Sequence, residues 1–230
     1  MRVLVIMHVE SEGVGTLERP LRQAGAQVET ARLYAGARLP DRADDYLAVV
    51  SMGGPMNVYE EEKYPFLKEE TAFLAQAVAR NLPVLGVCLG SQLIAKACGA
   101  RVFKSPAAEV GFSEVSLTEA GWRDPLFRGL PEALPVFQWH EDTFDLPEGA
   151  TLLAEAPACR HQAFRYRNAY GLQFHLELNG DMLAAWFRHH PERSAILARW
   201  AKEEFKIGRA AEIVFANFIA LARKNLVAAA

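Results

Sequence analysis

The sequence has few cysteines and no long hydrophobic segment. Its 230 residues contain three cysteines, Cys88, Cys98 and Cys159, an odd number with no Cys-x-x-Cys spacing. This pattern favours neither a disulfide framework nor a zinc cluster, so we expect no metal and a reducing cytoplasm. The N-terminal apolar run soon reaches His8 and Glu10. It is too short for a signal peptide or a membrane span.

The sequence also lacks a strong charge of either sign and any nucleotide-binding loop. The formal net charge is −3, and acidic and basic residues are interspersed. This disfavours nucleic acids and anionic membranes as partners. A Walker loop, a Gly-x-Gly-x-x-Gly element and a Ser-Gly-Gly-x-Asp-Ser pyrophosphatase loop are all absent. We therefore expect no nucleotide or other cofactor and no activation of an acceptor by ATP.

The order of predicted elements indicates an α/β fold. With 51% hydrophobic residues, the chain can bury the core of one domain, predicted over residues 1–230. Buried-type strands alternate with helices up to about residue 98, which predicts a mostly parallel central sheet flanked by helices. Short β-like pieces with Pro and Gly at 100–174 predict a small antiparallel portion. A helical extension is expected at about 190–230.

A glycine-flanked cysteine follows one predicted strand. Residues 83–92 read Pro-Val-Leu-Gly-Val-Cys-Leu-Gly-Ser-Gln, a short apolar run that enters a Gly-x-Cys-x-Gly turn and then a helix. This is the cysteine counterpart of the Gly-x-Ser-x-Gly elbow, which presents a nucleophile at a helix N-terminus. The pattern predicts Cys88 as a nucleophile. The decapeptide alone equally permits Cys88 to be a small buried hydrophobe.

A histidine and a glutamate lie two residues apart far downstream. If 172–177 is a strand, its two-residue period points His175 and Glu177 to one face. A carboxylate beside an imidazole can orient it towards a thiol, as in a Cys-His-Glu relay. Taken alone, the pair is more typical of a surface pair at a strand end than of a catalytic site. Together with Cys88 it forms a specific constellation.

Two further segments supply groups that could contact a ligand. Gly53 and Gly54 follow a predicted strand, and the amide of Gly54 could join that of Leu89 as an oxyanion hole. The alternative is an ordinary turn. Gln92 lies one helical turn after Cys88 and could face the same pocket, or only the helix surface.

The segment Trp139-His140-Glu141-Asp142 concentrates an imidazole and two acids. His140 is a rival of His175 for the base, because the sequence does not show which imidazole reaches Cys88. The alternative for His140 is a loop position without chemistry.

In this order, Gly53-Gly54-Pro55, the residues 86–92 and Gln173-Phe174-His175-Leu176-Glu177 resemble the motifs of class I (triad) glutamine amidotransferases. The resemblance is closest to the glutaminase domain of GMP synthetase and its stand-alone relatives, and it extends from Val3 to about Trp186. It implies a flavodoxin-like fold and hydrolysis of the glutamine side-chain amide to glutamate and ammonia through a γ-glutamyl thioester.

The resemblance also implies a role for each site residue. Cys88 would be the nucleophile, His175 the proton shuttle and Glu177 its orienting carboxylate. The amides of Gly54 and Leu89 would form the oxyanion hole. The remaining predicted substrate contacts are Gly53, Gln92, His140, Glu141 and Asp142.

Two residues depart from the family pattern. Leu176 replaces the usual Pro between the triad His and Glu, and Glu141 replaces the usual Gly of a His-Gly-Asp stretch. Glu141 would bring a bulky acid near the substrate's α-carboxylate. This leaves open a γ-glutamyl peptidase acting on glutathione-like compounds, and a non-catalytic regulatory or partner subunit. For a glutaminase, the expected partner is a separate synthetase subunit.

Overall fold

A computed structural model of the chain describes residues 2–228, which form one nine-stranded sheet covered by helices on both faces. The strand order is β2-β1-β3-β4-β9-β8-β7-β5-β6. The strands are β1 Arg2–Met7, β2 Gln27–Arg32, β3 Ala48–Ser51, β4 Val84–Val87, β5 Val102–Leu117, β6 Ala133–Phe144, β7 Thr151–Glu155, β8 Ala163–Tyr166 and β9 Ala169–Leu172. The helices are α1 Glu18–Gln23, α2 Phe66–Ala79, α3 Leu89–Ala97, α4 Glu119–Arg123, α5 Gly180–Trp186 and α6 Arg193–Ala228.

The parallel half of the sheet positions the predicted site. Strands β2, β1, β3, β4 and β9 are mutually parallel. Every residue of β3, β4 and β9 is buried, as expected for short apolar runs covered on both faces. Their carboxyl ends lie at one edge of the sheet, where α/β proteins commonly bind ligands.

The other half of the sheet is antiparallel, so the expectation of a mostly parallel sheet is not confirmed. Strands β8, β7, β5 and β6 continue the same sheet in antiparallel pairs. The Pro- and Gly-punctuated segment predicted to be a small addition forms long hairpins that extend the main sheet. The fold is therefore α/β with a single large mixed sheet.

The core lies on both faces of the sheet. One face packs against α2 and α3, and the other against α1, α5 and the long helix α6. Helix α6 occupies the region predicted as a helical extension, and it buries Ile207, Phe215 and Phe218 against the sheet. Within residues 2–228, no helix has the length and apolar character required to cross a bilayer.

Candidate active site

Cys88 occupies a strained corner between β4 and α3. Its φ of +49° lies in the left-handed region, which residues with a β-carbon rarely adopt. Two glycines make the corner possible. A β-carbon at Gly86 would lie 2.5 Å from the carbonyl of Gly90, and one at Gly90 would overlap the carbonyl oxygen of Ser51. The chain thus turns sharply and holds the cysteine at the start of α3.

Two backbone amides flank this corner. Gly54 packs against Leu89, since a β-carbon at position 54 would lie 2.8 Å from Leu89 Cδ2. Within the described residues, the N–H groups of Gly54 and Leu89 donate no hydrogen bond. Both donors are therefore available to a ligand. Their role as an oxyanion hole stays a prediction.

His175 and Glu177 form a buried pair, although they do not lie on a regular strand. The predicted strand over 172–177 is wrong in its bounds, because β9 ends at Leu172. Beyond it, the chain leaves the ladder and pairs with β6 through a single bridge between Phe137 and His175. The two side chains still meet, with 2.6 Å between His175 Nδ1 and Glu177 Oε1.

The surroundings of His175 favour the charged form of its imidazole. Its side chain is almost fully buried, which by itself opposes charging. The carboxylate of Glu177 and the neighbouring thiol of Cys88 outweigh burial and raise the pKa of His175 well above its usual value. The indole of Trp186 packs edge-on against the imidazole, with 4.9 Å between ring centroids.

One cavity brings these groups together. It has a volume of about 260 Å³, and it is lined by the sulfur-bearing corner, the imidazole, the loop after β1 and two indoles. The lining residues are Val9, Ser11, Glu12, Gly54, Pro55, Cys88, Trp139, His175 and Trp186. Cys88 and His175, which are far apart in sequence, thus share one cavity.

A chain of amides lies on another side of Cys88. Gln173 Nε2 lies 3.7 Å from the sulfur of Cys88, and Gln92 Nε2 lies 3.2 Å from Gln173 Oε1. Gln92 also donates to the backbone carbonyl of Asp142 at 3.3 Å. The Asp142 carboxylate accepts from the hydroxyl of Tyr59. Gln92 and Asp142 therefore belong to the surroundings of Cys88 without lining the cavity.

His140 and Glu141 point away from Cys88. His140 Nε2 lies 3.1 Å from Glu109 Oε2, and its Nδ1 donates to the carbonyl of Asp142. The side chain of Glu141 is two-thirds exposed and pairs with Lys104. Neither residue lines the cavity, so His140 does not occupy the position required of a base acting on Cys88.

Glu109 and His140 also approach Cys159. One ligand atom from each of the three residues lies within 4.8 Å of the others. Each is already engaged by a neighbour: Gln162 donates to Glu109, and the hydroxyl of Thr143 contacts the Cys159 sulfur at 3.1 Å. We interpret this cluster as a hydrogen-bonded network and assign no ligand to it.

A second buried acid and imidazole support the Gly53–Gly54 turn. His8 Nδ1 lies 3.0 Å from the carbonyl oxygen of Gly53, and its Nε2 lies 2.6 Å from Glu70 Oε2. Ser51 donates to the other oxygen of Glu70 at 2.6 Å. With an ionised Glu70, both partners of His8 are acceptors, and both of its ring nitrogens then donate. Burial alone would lower the pKa of His8, but the Glu70 carboxylate outweighs it and raises that pKa.

Sequence reasoning missed Glu12, whose carboxylate faces the cavity. A β-carbon at Gly53 would overlap Glu12 Oε2 and lie 3.3 Å from His175 Cε1. Burial raises the pKa of Glu12 to about 6. The available signal was positional: the loop after β1 must lie at the same edge as the loops after β3 and β4, because these strands are parallel neighbours.

Residues 8–185 match the family model described as glutamine amidotransferase class-I. The chain belongs to the class I glutamine amidotransferase family. The resemblance inferred from the three sequence motifs is thus confirmed, and the chain is an enzyme of this family.

Several class I relatives are similar over most of the chain. A glutamine amidotransferase-like protein, YfeJ, of Salmonella typhimurium is 37% identical, and the match covers 85% of this chain and 83% of that protein. The glutamine-hydrolyzing GMP synthase subunit of Pyrococcus abyssi is 32% identical over 76% of this chain and 89% of that protein. GMP synthase of Thermosipho melanesiensis is 32% identical, but the match spans only 33% of that longer protein.

Solved structures of glutamine amidotransferases have the same fold. The crystal structure of one from Thermotoga maritima has a TM-score of 0.87 and 33% identity, and the match covers 96% of this chain and 98% of that one. The structure of another from Methylobacillus flagellatus has a TM-score of 0.88 and 28% identity, covering 96% and 94% of the two chains.

Proposed function

We propose that this amidotransferase hydrolyses the side-chain amide of glutamine to glutamate and ammonia through Cys88, His175 and Glu177. The proposal rests mainly on one observation: Cys88 and His175 line a single cavity, and Glu177 is hydrogen-bonded to Nδ1 of the His175 imidazole. Nucleophile, base and orienting carboxylate then follow the logic of a catalytic triad.

In the proposed first step, the sulfur of Cys88 attacks the amide carbon of glutamine. A protonated His175 beside the sulfur favours the thiolate, and it later gives its proton to the departing nitrogen. The amides of Gly54 and Leu89 bind the oxyanion of the tetrahedral intermediate, each contributing about 3 to 4 kcal/mol. Ammonia leaves, and a γ-glutamyl thioester remains on Cys88.

In the second step, His175 removes a proton from water, which attacks the thioester carbon. The carbon–sulfur bond breaks, glutamate leaves and the thiolate is restored. Glu177 keeps the imidazole oriented in both steps. Gln92 and the backbone of Asp142 support the surroundings of Cys88 through Gln173, while Gly53 shapes the turn beside the cavity.

To test this proposal, the release of glutamate and ammonia from glutamine is measured for the wild-type chain and for Cys88→Ala. We expect release by the wild-type chain and none above background for the variant. His175→Gln should lose activity by a factor of at least about 10³, since the nucleophile then lacks its base. Equal release by wild type and Cys88→Ala would refute the role of the cysteine.

The γ-glutamyl peptidase alternative shares the chemistry and differs in the leaving amine. In the sequence this alternative is suggested by Glu141, but in the structure the Glu141 side chain is solvent-exposed and paired with Lys104. The values of kcat/KM for glutamine and for γ-glutamyl dipeptides decide between the two. A non-catalytic role would be supported if glutamine and every γ-glutamyl compound were left intact.

We further propose that the ammonia is used by a separate synthetase subunit. Two relatives, from Pyrococcus abyssi and Thermococcus kodakarensis, support this, because each is named as one subunit of a glutamine-hydrolyzing GMP synthase. Co-purification followed by mass spectrometry, then glutaminase assays with and without the bound protein, tests it. An ATP-dependent synthetase that binds and increases kcat/KM is the expected result. A fully active chain with no such protein bound would contradict it.

A further inference from the structure

Glu12 is the only acidic side chain that lines the cavity within residues 2–228. Its carboxylate makes no hydrogen bond to a described residue, although it is partly buried beside two indoles. A carboxylate in such surroundings is stabilised by a nearby cation and destabilised by a nearby anion. The cavity therefore contains an anionic group that the proposed mechanism does not use.

The position of Glu12 places its carboxylate beside the space that the leaving amine enters. Its Oε2 and Cε1 of His175 both lie close to the space above Gly53 that a β-carbon there would fill. Because Nδ1 of His175 is occupied by Glu177, Nε2 is the ring nitrogen that can deliver a proton to the departing amine. Since Glu12, Cys88 and His175 line the same cavity, an amine released between Cys88 and His175 enters the space that the Glu12 carboxylate borders. Gln92 and Asp142 do not line that cavity.

The loop that carries Glu12 is fixed in place. Trp186 Nε1 donates to the carbonyl of Ser11 at 2.9 Å, which joins the loop to α5. Further along the loop, the amide of Thr16 donates to the carbonyl of Glu177 at 2.7 Å. Absence of a side chain at Gly53 leaves the space that the carboxylate fills. The charge is thus preorganised at the cavity wall.

We propose that Glu12 forms an anionic leaving-group subsite. It favours γ-glutamyl compounds whose leaving amine is ammonia or carries a positive charge. It disfavours those whose leaving amine is an amino acid, because the free carboxylate of that group lies two bonds from the scissile nitrogen. This inference rests on the proposed function, and it assigns the substrate class of the same site.

The test measures affinity without turnover, in a Cys88→Ala background. Three ligands share the γ-glutamyl group and differ in the charge of the amine side: γ-glutamyl methylamide is neutral there, γ-glutamylglycine is anionic and γ-glutamyl 2-aminoethylamide is cationic. Calorimetry gives the Kd of each before and after Glu12→Gln. The matched control is Glu10→Gln, an exposed acid on the same loop.

We expect Glu12→Gln to improve the Kd of γ-glutamylglycine relative to the methylamide by about tenfold, and to weaken the aminoethylamide by a similar factor. Glu10→Gln should leave both ratios unchanged. Ratios that move less than twofold in Glu12→Gln, an equal effect of Glu10→Gln, or no binding of any ligand would overturn the subsite.

The pH dependence of the Kd ratios provides a second test. The groups that act on Glu12 are His175, Glu177 and His8. They are present both in the chain with Glu12 and in Glu12→Gln, so the change of the ratios on substitution isolates Glu12. Below its pKa of about 6 the carboxylate is neutral, and the chain with Glu12 should then match Glu12→Gln. Discrimination that persists unchanged at about pH 5 would contradict the proposal.

Turnover by the Cys88-containing chain is measured separately. If the chain turns over glutamine but Glu12→Gln does not change the Kd ratios, the subsite proposal is refuted and the glutaminase proposal is still supported. If the Kd ratios change as expected but no Cys88-dependent turnover is found, the subsite is supported and the glutaminase proposal is refuted.

Discussion

Gly90 lies where any larger residue would collide with the neighbouring strand. Its missing β-carbon would overlap the carbonyl oxygen of Ser51, which is backbone and cannot swing aside. The Gly-x-Cys-x-Gly turn was predicted from sequence because its constraint is local: both glycines lie within two residues of the strained cysteine. The structure supplies the physical reason for the pattern.

Gly90→Ala should therefore destabilise the protein by about 1 to 3 kcal/mol or more. Gly208→Ala is the matched control, because Gly208 lies inside α6 with no heavy atom within 4 Å of the added carbon. It should stabilise by about 0.5 to 1 kcal/mol. Urea unfolding measures both changes. A neutral Gly90→Ala would show that the elbow is not tightly packed.

Glu12 illustrates what the sequence conceals at the residue scale. A single acid in a loop looks the same whether it is solvated or faces a cavity, since no periodicity or motif marks it. Its environment is created by Trp186 and Gly53, which are distant in sequence. By contrast, His175 and Glu177 were found together because only one residue separates them.

At the scale of elements, the loop after β1 depends on the short helix α5. The side chain of Asn179 caps this helix by accepting from the amide of Met182 at 2.9 Å. Asn179→Ala should cost about 1 kcal/mol. Because α5 carries Trp186, which holds the loop through Ser11, the variant should also raise the KM for glutamine.

Thr118→Ala provides the comparison for this cap. Thr118 caps α4 by accepting from the amide of Gly121 at 3.0 Å, and it does not line the cavity. It should lose a similar free energy of unfolding without a change in KM. If both variants raised KM equally, a general loss of stability would explain the effect, and the link from α5 to the loop would be wrong.

The end of β9 and the placement of the antiparallel hairpins could not be predicted from the sequence, and the reason is the same for both. The end of β9 at Leu172 and the bridge from His175 to Phe137 depend on a tertiary contact between β6 and the chain that follows β9. The two-residue period of 172–177 carries no information on that contact. Likewise, hairpins that extend the main sheet have the same local pattern as hairpins that form a separate layer.

At the scale of the whole molecule, buried histidines set the pH dependence of stability. The pKa values of His8 and His175 are raised from 6.5 in the folded chain. The folded state then binds more protons than the unfolded state, so the stability that these two histidines contribute is fully present below about pH 6.5 and is lost as pH rises through the folded pKa values. The free energy of unfolding should be lower at about pH 8 than at about pH 6.

Glu70→Gln tests this account at His8. Removing the carboxylate charge should lower stability by about 1 to 3 kcal/mol at pH 6 and reduce its fall between pH 6 and pH 8. Urea unfolding at the two pH values measures the difference. An unchanged slope would mean that the pair of His8 and Glu70 does not contribute to it.

The most direct test of the catalytic assignment is covalent labelling with a glutamine-analogue electrophile, followed by mass spectrometry of the whole chain and its peptides. Burial raises the pKa of Cys98 to about 11 and also raises that of Cys159, so neither thiol competes near neutral pH. We predict one adduct per chain, on Cys88, slowed by glutamine and by His175→Gln. An unlabelled Cys88 in a chain whose other thiols react with a general thiol reagent would contradict the account.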